Sequence, residues 1–154
     1  MRNLYENNPM NAPRLKTDSV FVDYENTYNY RGFVDEAFRF IEDFQMMNPT
    51  LWRRFVEQFR EEDADYECGW RGEYWGKMMR GAVYVYSITG DLKLYKVLEK
   101  TVRDLLSTAD GYGRISSYTV ENEFTKWDTW GRKYIMLSLI YFMGICRDEA
   151  LKAE

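Results

Sequence analysis

The chain of 154 residues contains no histidine. That absence excludes serine–histidine and cysteine–histidine nucleophilic sites, histidine-ligated zinc and the HExxH metalloproteases. Cysteine is nearly missing as well. Cys68 and Cys146 are the only two, and they fit neither a CxxC metal pattern nor a disulfide framework. They point to a reducing compartment, so a cytoplasmic location is expected. A basic excess is lacking too: 21 Lys and Arg stand against 25 Asp and Glu, a net charge of −4, with a pI near 5.1. A nucleic-acid partner is therefore not expected. Long hydrophobic runs are also absent. The most apolar stretch, Tyr134 to Ile145, falls short of the ~20 residues that cross a bilayer. The opening MRNLYENNPMNAPR lacks the apolar region of a secretory leader. No membrane association is expected.

What the chain does have is aromatics: 9 Phe, 13 Tyr and 5 Trp make up 18% of it. Such a share suits a helical core with wide aromatic clefts, and equally a sugar-binding surface. Two of the three prolines, Pro9 and Pro13, lie with many asparagines in residues 1–30, which read as an extended arm. Within it, Ser19 to Tyr24 reads as one short strand or an apolar tether. From Gly32 the period turns helical. Val34, Ala37, Phe38, Ile41 and Phe44 share one face, and Asn48-Pro49 stops the run. Thr50 is placed to cap a second helix with Trp52, Phe55, Val56 and Phe59 buried. The acidic run from Glu57 to Glu67 reads as a solvated helix end and loop, or as a cation or partner site.

A third helix is predicted from Trp70 to Thr89, with Tyr74, Met78, Ala82, Val85 and Ile88 along one face and Trp75, Met79 and Tyr86 beside it. Gly90-Asp91 ends it and opens a fourth, buried through Leu94, Leu98, Val102, Leu105 and Leu106. So short a connection makes the two antiparallel neighbours. Asp110-Gly111-Tyr112-Gly113 signals a turn, and Arg114 to Glu123 reads as a β-prone or irregular excursion. From Lys126 to Cys146 the chain is helical and apolar almost all round.

Two of these helices are related. A shift of about 57 residues lays Trp70 on Trp127, Val83 on Ile140, Tyr84 on Tyr141, Ile88 on Ile145, Asp91 on Asp148 and Leu94 on Leu151. Repeated helical hairpins build solenoids or closed toroids, in which each unit buries its face against its neighbours. In the second copy only Glu149 to Glu154 follow the turn. The face of Ile135, Leu139, Phe142 and Met143 is thus expected to be covered by the remainder of a longer chain or by a second copy in a homodimer.

Several residues admit two readings. Glu73 and Lys77, four apart, form a favourable surface ion pair or hold sugar hydroxyls among Trp70, Tyr74 and Trp75. Gly72 and Gly76 permit close helix packing or close ligand approach. Trp127, Asp128, Trp130, Arg132 and Lys133 form the densest aromatic and charged cluster. They belong either to a ligand site at the toroid end or, through Asp128 as a helix-terminal group and Trp130 as core, to the scaffold.

The run Trp70 to Ala82, with Thr89-Gly90-Asp91, Gly113-Arg114-Ile115-Ser116, Trp127-Asp128 and Trp130-Gly131-Arg132-Lys133-Tyr134, resembles the β-L-arabinofuranosidase family, glycoside hydrolase family 127. The resemblance covers Trp70 to Glu154 well and residues 1–60 weakly. It implies a mainly α fold, an (α/α)6 toroid of antiparallel hairpins of which 31–154 would be an incomplete part, preceded by the arm 1–30. It implies hydrolysis of arabinofuranosides by a cysteine nucleophile held on zinc by glutamate and further cysteines, in motifs that lie downstream in family members. Nothing here matches those motifs, so no catalytic or metal-binding residue carries over, and zinc is implied only for a complete enzyme. Family members place histidines lining the sugar pocket where this chain has Glu73, Lys77, Trp127 and Tyr134. The expected substrate-binding residues are therefore Glu73, Lys77, Trp127, Asp128 and Tyr134, with a different sugar implied.

Overall fold

The computed structural model describes residues 31–61 and 71–154. The expected arm over 1–30, Cys68, Trp70 and the acidic residues Glu62 to Glu67 lie outside them. Among the described residues there are six α-helices and no strand: α1 (Phe33–Ile41), α2 (Pro49–Arg60), α3 (Arg71–Thr89), α4 (Leu92–Leu106), α5 (Asp128–Ile145) and α6 (Glu149–Ala153).

Helix α1 runs without a break into a π-helical turn, Glu42–Met46, closed by the Met47 amide donating to the Glu42 carbonyl at 2.8 Å. The wider turn shifts the helical stripe. Of the predicted face, Val34, Ile41 and Phe44 are exposed and Ala37 and Phe38 half-buried, while on the wider turn Glu42 and Met46 point inward. The cap of α2 also differs from the expectation. Asn48, not Thr50, accepts from the amides of Thr50 and Leu51 at 3.1 and 3.2 Å, with Pro49 in the first turn, where its missing N–H costs nothing. The Trp52 indole then donates to the Met46 carbonyl at 2.7 Å, satisfying a buried acceptor at the junction.

These segments run antiparallel to α3. Glu42 meets Thr89, Met46 lies against Gly81, Trp52 packs edge-on against Trp75 at 6.3 Å and Phe55 stacks on Tyr74 at 5.9 Å. At the far end of α3, Gly90 takes a positive φ of 66°, which glycine adopts without steric cost. Asp91 caps α4 by accepting from the Lys93 amide at 2.7 Å. The predicted hairpin follows, with Trp75 donating to Thr101 at 3.1 Å and Tyr86 beside Tyr95. Beyond α4, Asp110 closes its turn by accepting from the amides of Tyr112 and Arg114, both at 2.9 Å. Residues 114–123 are irregular apart from one 3-10 turn, Val120–Asn122.

Helix α5 lies alongside α3 and parallel to it, in the register of the sequence repeat. Tyr84 and Tyr141, 57 residues apart, join through their hydroxyls at 3.1 Å, and the Trp130 indole donates to Glu73, also 57 apart, at 2.5 Å. The repeated aspartates play one role: Asp148 caps α6 as Asp91 caps α4, and Leu94 and Leu151 are both buried. Glycine sets the spacing of the pair. A Cβ on Gly76 would sit 2.6 Å from the Tyr134 carbonyl oxygen, and one on Gly72 would sit 3.0 Å from that of Gly131. Ser138 exploits the approach by donating to the Gly76 carbonyl at 2.6 Å. Of the two readings of these glycines, close helix packing is the one observed.

The result is two layers. The parallel pair α3 and α5 is covered on one side by α2 and α4, which run antiparallel to α3 and join each other through Arg60 and Asp104 at 2.6 Å. Between the layers lie Trp75, Met79, Leu98, Leu105, Ile135 and Phe142, each stabilising the fold by roughly 1.5–3 kcal/mol through burial. The glycine contacts also decide which way α5 turns. Of the face expected to be uncovered, Ile135 and Phe142 are buried and Met143 is exposed, and the exposed apolar face joins Met143 to Met136 and Ile140, which are 65% and 61% exposed. Tyr74, predicted on the buried face of α3, is partly exposed, while Trp75, Met79 and Val83 take the core positions. Among the described residues no helix is long and apolar enough to cross a membrane.

Candidate functional site

On the side of α3 and α5 away from the covering layer, a ladder of rings and charges crosses the helix seam. Glu73, Lys77, Arg80 and Tyr84 follow one another on α3 at spacings of four, three and four residues, which places them on one helix face. Trp130, Tyr134 and Tyr141 occupy the facing positions on α5, and Trp127 stands at its start. This alignment is a direct product of the repeat, because parallel helices in register bring equivalent positions together.

Glu73 is the polar centre of the ladder. It forms an ion pair with Lys77 and accepts from the Trp130 indole. Its carboxyl is held below the usual range first by the hydrogen bond from Lys77, with further help from Trp130 and the nearby Lys133 charge, against a smaller opposing effect of burial. Lys77 is correspondingly raised, chiefly by Glu73. Glu73 is therefore a carboxylate at neutral pH, able to accept hydrogen bonds from hydroxyls but not to serve as a proton donor.

Rings surround this pair. Trp127 meets Trp130 edge-on at 6.2 Å, and Trp130 meets Tyr134 edge-on at 5.3 Å. The Lys133 ammonium stands 3.5 Å from the Trp130 ring centre and 4.0 Å from that of Tyr134. Lys77 lies 5.3 Å from the Tyr134 ring and the Arg80 guanidinium 5.3 Å from that of Tyr141. Each of these cations sits within the ~6 Å at which a ring face attracts it. Trp130 is 40% exposed, so it is not core.

Four of the five expected site residues, Glu73, Lys77, Trp127 and Tyr134, share this surface. Asp128 does not. Its carboxylate is buried on the other side of α5, accepting from the Ser116 hydroxyl at 2.5 Å, the Phe124 amide at 2.8 Å and Arg132 at 3.0 Å, while Arg132 also reaches Glu123 at 2.7 Å. Asp128 thus ties the irregular segment to the start of α5, a segment that includes the positive-φ residues Phe124 and Lys126. The crevice beside it, walled by Phe59, Gly72, Ser116 and Ile135, has no room for a water molecule.

Arg80, Tyr84 and Tyr141 belong to the ladder and were not among the expected site residues. The signal for the two tyrosines was present: the shift that pairs Tyr84 with Tyr141 also pairs Glu73 with Trp130 and Lys77 with Tyr134. For zinc, the described residues offer no fit. No group of three metal-ligating side chains occurs among them, and Cys146 is buried with its sulfur 3.4 Å from the Asp148 carbonyl.

In comparisons with known protein families, with curated proteins and with solved structures, the chain has no match.

Proposed function

We propose that this chain is part of the α/α toroid of a carbohydrate-active hydrolase similar to the β-L-arabinofuranosidases of glycoside hydrolase family 127, and that the ladder across α3 and α5 contacts the sugar. The observation that carries this reading is the parallel, in-register pairing of α3 with α5. In a toroid of hairpins, alternate helices form an inner parallel layer backed by an outer antiparallel one, and the ladder lies on the side that such an inner layer turns to the lumen. Rings flanked by a hydrogen-bonding carboxylate and ammonium suit the mixed faces of a sugar. A cytoplasmic enzyme without a membrane or nucleic-acid partner fits the same composition.

The repeat supports a larger ring in a second way. Gly72, Gly76 and Val83 lie on the face that α3 turns to α5. A shift of 57 residues carries that face to Thr129, Lys133 and Ile140, beside the exposed Met136 and Met143. On this reading a further parallel helix of the same repeat covers it, from the rest of a longer chain or from a second copy. The zinc and cysteine chemistry of the resembling family is assigned to no residue described above. Glu73 and Lys77 bind and orient, Trp127, Trp130 and Tyr134 provide ring faces, and no residue described above is assigned the role of nucleophile. As an alternative, the same surface serves a non-catalytic hairpin module that binds a glycan or a protein.

The test is a titration of the full chain with arabinofuranosyl oligosaccharides, followed by tryptophan fluorescence alongside an aryl-arabinofuranoside hydrolysis assay. Binding should perturb the tryptophan signal and vanish in Trp130→Ala while the melting transition is retained. Failure of every arabinofuranoside to bind would overturn the reading. Binding without hydrolysis would favour the non-catalytic alternative.

A further inference from the structure

Two apolar helix faces stand uncovered among the described residues, and they complement each other. One is on α5, where Met136, Ile140 and Met143 are exposed beside an exposed Lys133. The other is on α1, which has no buried residue. There Phe33, Phe40 and Phe44 are exposed, Phe33 by 84%, and Phe40 stacks on Phe44 at 5.4 Å. Single apolar residues are ordinary on a surface, whereas contiguous apolar faces mark contacts.

Both faces point away from α3, on opposite sides of it. Gly76 lies against Tyr134 of α5 and Gly81 against Met46 of the π-helical turn. These glycines are five residues apart, about 140° around α3, so α5 and the α1 segment flank α3 on either side. On α1, Phe40 lies about 200° around the helix from Glu42, which meets Thr89 of α3. On α5, Ile140 lies about 200° around the helix from Ser138, which donates to Gly76 of α3. One copy cannot bring its own two faces together. A row of copies sets α1 of one against α5 of the next.

Spacing and charge fit that contact. Because α1 is antiparallel to α3 and α5 is parallel to it, copies stacked in one orientation place α1 antiparallel to α5. Phe33, Ala37 and Phe40 then come level, within about one residue, with Met143, Ile140 and Met136. In the same register Asp43 comes level with Lys133. These charges have no ion-pair partner of their own among the described residues. Arg39, the cation of α1, pairs with Asp35 and Glu42, each at 3.5 Å, which leaves the exposed Glu36 and Asp43 unmatched. Lys133 stands over the rings of Trp130 and Tyr134. Two α1 faces would bring together the same acids, and two α5 faces the same lysine, so unlike faces are favoured.

We infer that this chain self-associates head to tail, the α1 face of one copy seated on the α5 face of the next, with Asp43 against Lys133. Such a heterologous contact closes into a ring or runs on as an open chain. It selects between the two covers proposed above for the α5 face. A parallel helix of the repeat would come from the rest of a longer chain, but in a second copy α3 is flanked on both sides and the free helix is α1.

The experiment follows mass against concentration, by light scattering and sedimentation, for the full chain and for Phe40→Asp and Ile140→Asp, each checked for an unchanged cooperative melt. The parent's mass should rise above that of one chain. Each variant alone should associate about ten-fold or more weakly, since an interface centre is lost. Mixed together they should form a dimer, because Phe40→Asp keeps its α5 face and Ile140→Asp its α1 face. Lys133→Glu should weaken association, and adding Asp43→Lys to it should restore it. Should a variant fail to fold, Phe33→Asp or Met136→Asp replaces it on the same face. A parent that stays monomeric at ~1 mM, the weak end of measurable affinity, overturns the inference. So does a mixture that fails to combine, or either variant associating unaided as strongly as the parent, which would mean that a face pairs with its own kind. None of these results touches the sugar reading, which fails separately if arabinofuranosides do not bind.

Discussion

Alanine at Gly76 should destabilise this protein, against the ordinary expectation for a helix interior. On helix propensity alone, Gly→Ala in mid-helix gains about 1 kcal/mol. At Gly76, however, the new Cβ would meet the Tyr134 carbonyl oxygen at 2.6 Å and its carbonyl carbon and Cβ at 2.8 Å. Two of these are backbone atoms, so no side-chain rotation relieves the contact. Bringing 2.6 Å out to an ordinary contact of about 3.4 Å moves α5 away from α3 by about 0.8 Å, a strain of the size for which overpacking costs about 1–3 kcal/mol. The same movement stretches the Ser138 hydrogen bond to the Gly76 carbonyl, now 2.6 Å and worth about 1 kcal/mol. With the propensity gain subtracted, the net loss is about 1–3 kcal/mol, or a fall in Tm of about 2–12 °C for a chain of this size. Gly81 supplies the control. A Cβ there meets only the flexible end of Met46 at 3.4 Å, so Gly81→Ala should be neutral or stabilising by up to about 1 kcal/mol. Urea unfolding of both variants followed by circular dichroism decides the matter. A Gly76→Ala protein as stable as Gly81→Ala would refute the close approach of α3 and α5.

Two further outcomes follow from buried carboxyls. Asp128→Asn places an amide donor against one of three existing donors, Ser116, Phe124 or Arg132, and should cost about 2–4 kcal/mol; limited proteolysis should show faster cleavage within 116–127, and unchanged protection there would count against the tether. Glu42 lies almost wholly buried on the π-helical turn, and its carboxyl is raised above the usual range, first by burial, with Thr89 donating to it in opposition and Asp91 adding to the rise. A raised carboxyl binds its proton more tightly folded than unfolded, so it contributes a stability that is lost as pH climbs through the folded value. Glu42→Gln should therefore unfold at higher denaturant than the parent at pH 7, and the difference should close below the ordinary glutamate pKa of ~4.3; a gain that is independent of pH would sink this reading.

Much of the architecture was legible because helical hairpins are local. The buried stripe of α4, the Gly90-Asp91 turn, the Asp110 turn and the repeat each depend on spacing within one segment, and spacing is what a sequence displays. The misread features have physical reasons. On the π-helical turn after α1, Phe44 faces out and Glu42 and Met46 face in, a register that follows from i→i+5 bonding and that no periodicity announces. Asp128 looked like a pocket group because charged residues beside tryptophans suggest a ligand. It proved to be a tether, since its partners Ser116 and Phe124 reach it only through the path of an irregular segment.

By itself, then, the sequence determined that the chain is helical, where its hairpin turns, and that α3 and α5 are versions of one unit. Tertiary structure alone decided how those versions meet. Bare glycine backbone at Gly72 and Gly76 lets α5 press against α3 with a carbonyl where a side chain would otherwise stand. That single contact orients the rest of α5: it buries Ile135 and Phe142, leaves Met136 and Ile140 outside, and brings Trp130 and Tyr134 beside Glu73 and Lys77. The ladder exists because two helices can touch, which is a property of the pair and of neither strand of sequence alone.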